Sequence, residues 1–64
     1  MLSKVEIRDR EKIATLELLQ VAVKLNDAHS KILMRHFSEA REILNDVKTR
    51  VDALLEVVPE EEDG

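Results

Sequence analysis

His29 and His36 are the side chains of this 64-residue chain best suited to proton transfer or metal binding near neutral pH. Seven residues apart on a helix, they would share a face but stand about 10.5 Å apart along the axis, too far to share one metal ion. Neither has a Glu or His four residues away, the spacing a helical zinc site uses. Asp27 and Glu39 lie two or three residues off and complete no ligand set. There is no cysteine, hence no thiolate metal site and no disulfide. There is also no Gly-rich phosphate loop and no nucleophile beside a base. The pattern predicts no enzymatic activity, no cofactor and no metal. The histidines read as neighbours of a core, with one pH-sensitive consequence: protonation beside Lys31 and Arg35 would concentrate positive charge.

What the chain does possess is periodicity. With a at 16, 23, 30, 37, 44, 51 and 58, and d at 19, 26, 33, 40, 47 and 54, the apolar core positions are Leu16, Leu19, Val23, Leu33, Phe37, Ala40, Leu44, Val47, Val51, Leu54 and Val58. Only Asn26 and Ser30 are polar, two consecutive layers of a kind that can set register and oligomer state at some cost in stability. A seven-residue apolar repeat is what keeps one seam of a helix against a partner helix along its length. One Gly and one Pro, with 44% hydrophobic and 38% charged residues, leave little room for loops and match a long helix or coiled coil. The fold class is all-α.

A second apolar stripe runs along positions c and f of the first half: Ala14, Leu18, Val21, Leu25, Ala28 and Ile32. At about 100° per residue it lies nearly opposite the a/d stripe. Between the two runs position b, polar throughout, with Arg10, Glu17, Lys24 and Lys31 in the first half. A helix greasy on two sides belongs between neighbours. Leaving Leu18, Val21, Leu25 and Ile32 in water would forgo about 1.5–3 kcal/mol each, so the first half should sit in a bundle of three or more helices. After Leu33 the c/f stripe turns charged, with Arg35, Glu39, Glu42 and Asp46, and the second half needs partners along one face only.

Both stripes pass through Asn26–Ser30 without losing phase. That continuity predicts one long amphipathic helix over about 3–58, with 26–30 as the place for any bend, spanning roughly 84 Å at 1.5 Å per residue. The other arrangement is an antiparallel hairpin turning within 26–30, where helix propensity is weak. Pro59 ends the helix and biases Val58 out of the helical region. Two segments follow: 1–58, a helical interaction segment, and 59–64, an acidic solvated tail.

Charge narrows the partners. Residues 1–31 carry six basic and five acidic side chains and residues 32–58 carry four and five, so Glu60, Glu61, Glu62 and Asp63 supply the whole net charge of −4. The neutral body offers i,i+4 pairs at Glu6–Arg10, Asp27–Lys31, Arg35–Glu39, Asp46–Arg50 and Lys48–Asp52. Phosphate contacts need net positive charge, and Arg10, Lys24 and Lys31 form only a thin basic line broken by Glu17, so nucleic acid is not an expected partner. No uncharged stretch is long enough to span a bilayer, and seven charges in the first twelve residues do not resemble a signal peptide. The expectation is a soluble, intracellular, cytoplasmic protein.

In length, helical halves and acidic tail the chain resembles the plasmid copy-control Rop family, which implies a helical-hairpin dimer. The stretch from Phe37 to Val58 is similar to the KxDL family of small coiled-coil complex subunits. Phe37, Lys48 and Asp52 match that family's pattern, while Arg50 and Val51 stand where its defining Asp and Leu would be. That similarity implies a small subunit of a helical hetero-complex. The residues themselves point to a non-catalytic structural or adaptor subunit assembling with partner helices. Leu16, Leu19, Val23, Leu33, Phe37, Leu44, Val51 and Leu54 would form its main seam, and Leu18, Val21, Leu25 and Ile32 its second. A self-associating hairpin dimer with a regulatory, RNA-binding role is the other reading.

Overall fold

Ser3 starts the first helix. Its Oγ accepts a hydrogen bond from the Glu6 backbone N–H at 3.2 Å, satisfying one donor that a helix start leaves open, and Glu6 adds a carboxylate to the first turn. In the computed structural model, which describes residues 2–60, helix α1 runs Lys4–Leu33 and helix α2 runs Phe37–Val57. Residues 61–64, most of the acidic tail, lie outside the described residues.

The two helices fold back on each other as a hairpin, so the single helix over 3–58 is not what forms. Its length of roughly 84 Å contrasts with a longest dimension of 47 Å. Nor is the turn within 26–30. Asn26, Asp27, His29 and Ser30 are all helical, because their weak propensities cost only tenths of a kcal/mol each while continuing the helix buries Ala28 to 2% exposure. The phase of the two stripes through this cluster was therefore a true helical signal.

α1 ends instead in a Schellman motif. The His36 N–H donates to the Lys31 carbonyl at 2.8 Å and the Arg35 N–H to the Ile32 carbonyl at 3.0 Å, with Arg35 in the left-handed region at φ 62°. Glycine usually holds that place, and here an arginine does. His36 then caps α2 through its backbone carbonyl, which accepts from the Ala40 N–H at 3.1 Å. At the far end Val58 is extended (φ −65°, ψ 124°), as a residue before proline should be.

Ala14, Val21 and Ala28, all at position f of α1, are buried against Ala40, Val47 and Leu54, all at position d of α2. Ile43 and Val57 pack beside this core. Among the described residues three of the six buried ones are alanines, so the helices approach closely but bury little apolar surface. Among the described residues no helix is long and apolar enough to cross a membrane.

Candidate helix-docking face

The hairpin has two edges of different chemistry. On one, the polar b row of α1 meets α2 in antiparallel register. Lys31 Nζ lies 3.1 Å from Glu39 Oε2, Lys24 Nζ 2.9 Å from Asp46 Oδ2, and Arg50 Nη1 2.6 Å from Glu17 Oε1. Arg10 Nη1 donates to the Glu56 carbonyl at 3.4 Å. Arg50 is the hub, since it also donates to Asp46 Oδ2 at 3.2 Å and Gln20 Oε1 at 3.1 Å. These contacts hold the Glu39 carboxyl below its usual range, chiefly through the hydrogen bond from Lys31, and Asp46 likewise through Lys24 and then Arg50. Lys31 is raised by the same contact with Glu39, and Arg50 by Glu17 and then Asp46.

This edge uses the basic line seen in the sequence. Arg10, Lys24 and Lys31 all face α2 and are taken up by its acceptors. Of the five i,i+4 pairs that the spacing allows, Asp46–Arg50 forms, while Lys31 and Glu39 leave their local candidates and pair with each other across the turn. His36 Nδ1 stands 3.5 Å from Glu39 Oε2 in the turn rather than beside a core. Among the described residues no group of three His, Cys, Asp or Glu could hold a metal ion.

The opposite edge is apolar and open. Position f of α1 is flanked by b on one side and c on the other, and position d of α2 by g and a. Since b meets residues at g and c of α2 through the ion pairs, the c row of α1 and the a row of α2 share the other edge. There Leu18, Leu25 and Ile32 line up with Phe37, Leu44, Val51 and Val58, every one exposed. The helices are rotated to favour the polar side. The b row of α1 is part-buried where the c row is exposed, and Ile43, Arg50 and Val57 at g of α2 are part-buried where the a row is exposed. Water-loving residues are thus covered and leucines are not.

The two sequence stripes are therefore divided differently from their pattern. Of the second stripe, Ala14, Val21 and Ala28 go inward while Leu18, Leu25 and Ile32 rim the open edge. Of the main seam, only its α2 d positions, including Leu54, are buried. Leu16, Leu19, Val23 and Leu33 point away from α2, 56–71% exposed. A shallow trough on that outer side is lined by Leu19, Val23, Asn26 and Ser30, so the two polar layers face outward. Sequence reading missed the roles of Arg35 in the turn and of Arg50 at the ion-paired edge. The alternating polar row at b, read together with Glu39, Asp46 and Arg50, carried a signal for the ion-paired edge.

Comparison with protein-family models, with curated proteins and with solved structures finds no match to this chain.

Proposed function

We propose that this protein is a non-catalytic adaptor that assembles with partner helices through the open apolar edge of its hairpin. One observation carries this reading: the hairpin covers its polar b row and leaves Leu18, Leu25, Ile32, Phe37, Leu44 and Val51 uncovered. Burying the exposed half of each would contribute about 1 kcal/mol, against association costs of about 4–15 kcal/mol. Both helices line this face over the 21 residues of α2, a strip about 31 Å long at 1.5 Å per residue. Leu16, Leu19, Val23 and Leu33 extend the surface around α1 for a further helix.

The test is site-specific photocrosslinking in the organism's own cells, with the crosslinker at Leu25 on the open edge or at Thr49 on α2's outer surface. A discrete crosslinked product from position 25, absent from position 49, is expected. Equal or absent crosslinking at the two positions would remove the reading. The hairpin is also the arrangement a self-associating dimer requires, and light scattering of the purified chain reports on that second reading. An RNA-binding role draws no support from Arg10, Lys24 and Lys31, which are engaged with α2.

A further inference from the structure

The charges around the open edge say which helix would fit it. This inference rests on the docking reading above and adds the partner's chemistry. The rows that form this face are c and g on α1 and a and e on α2. Along the stretch where the helices pair, which reaches the Arg10–Glu56 contact, the α1 rows hold Glu11, Thr15, Leu18, Ala22, Leu25, His29 and Ile32. The α2 rows hold Phe37, Arg41, Leu44, Lys48, Val51, Leu55 and Val58. Glu11, at the end away from the turn, is the one carboxylate in the two sets. From Thr15 to Ile32 the α1 rows carry no formal charge, and the α2 rows carry Arg41 and Lys48, which bracket Leu44 at three and four residues and so flank the apolar row directly. Both are exposed, and neither makes an ion pair among the described residues. Asp52, one row further out, does not pair with Lys48. Beyond the paired stretch the same α1 rows continue with Lys4 and Arg8, both cationic.

A protein of net charge −4 thus presents an apolar strip edged only by cations over most of its length. Apart from Glu11, the carboxylates of the two helices lie on the closed edge and the outer surfaces. We infer that the occupant is an amphipathic helix of another protein whose apolar stripe is flanked by Asp and Glu. Complementary rims speed encounter and set register, while like charges brought together are costly. A second copy of this chain laid face to face would bring Arg41 and Lys48 either toward the same two cations or toward an α1 rim whose one carboxylate is Glu11. The charge pattern therefore disfavours the self-associated form and selects an acidic partner.

The experiment uses two synthetic helical peptides, each with leucine at a and d, one with glutamate at every e and g position and the other with lysine. Repulsion between like flanks keeps each from pairing with itself. Fluorescence anisotropy against the full chain should show the glutamate peptide binding about tenfold or more tightly than the lysine peptide. The preference should weaken as salt rises and reverse in Arg41→Glu/Lys48→Glu. Equal binding of both peptides would overturn the acidic-partner inference while leaving the docking face intact. A discrete dimer that binds neither peptide and dissociates on Leu25→Glu would assign the face to a second copy. Preferential binding to phosphatidylserine-containing vesicles over the glutamate peptide would assign it to a membrane. If Leu25→Glu/Leu44→Glu stays as helical as the parent and binds the glutamate peptide unchanged, the docking face itself is refuted.

Discussion

Arg35 is where one residue decides the shape of the molecule. Its φ of 62° costs a non-glycine residue roughly 1–2 kcal/mol, a cost glycine escapes. Arg35→Gly removes that cost but adds the roughly 0.5–1 kcal/mol of entropy glycine loses on folding, so it should stabilise the hairpin by about 0.5 kcal/mol and raise the melting temperature by about 2–4 °C. Circular dichroism melting would read this directly, and an unchanged or lower midpoint would mean the Arg35 side chain contributes more than its backbone costs. Ala28 and Ala40, each 2% exposed, make the opposite demand, because their small side chains permit close approach near the turn. Ala28→Leu should cost about 1–3 kcal/mol by overpacking, visible as an earlier urea midpoint with the same dependence on denaturant.

Between the two helices, ion pairs set register while the alanine-rich core supplies little. Glu39 and Asp46 are held below the usual carboxylate range by Lys31 and by Lys24 with Arg50. Below about pH 4 the unfolded chain therefore takes up more protons than the folded one. The stabilisation is complete above the unfolded values and is lost as pH falls through the lower folded values. The denaturant midpoint should decline from pH 5 to pH 3, and Glu39→Gln/Asp46→Asn should flatten that decline. A decline of the same size in the double variant would assign the acid sensitivity to other carboxylates. Both shifts belong to exposed pairs, so salt should blunt them as well.

Among its described residues the hairpin buries six and exposes sixteen large apolar ones, so its stability should depend on what covers it. A helix that binds only the folded state adds about 2.7 kcal/mol at a hundred times its Kd, or about 10 °C or more of melting temperature for a domain of this size. Calorimetry of the chain with increasing glutamate-flanked peptide would follow that rise. A midpoint insensitive to saturating peptide would show that coverage does not stabilise the fold.

Helicity, the stop at Val57 before Pro59, and two apolar stripes on opposite sides of the first half were all legible in the residues. Each depends on neighbours three or four positions away, or on the covalent geometry of proline. The proposed docking edge was legible in part: Leu18, Leu25, Ile32, Phe37, Leu44 and Val51 stood out as apolar residues in need of cover, and the structure leaves all six exposed. What periodicity could not decide was which stripe the chain would cover with its own second helix. That depends on contacts between residues such as Glu17 and Arg50, 33 positions apart, whose ion pairs favour the b edge over the leucine edge. The turn was hidden for a related reason. Arg35 takes a conformation for which glycine is the usual marker, while Asn26–Ser30, weak in propensity, is held helical by the burial of Ala28. The one compositional trace of the turn was the end of the apolar c/f stripe at Ile32, three residues before Arg35.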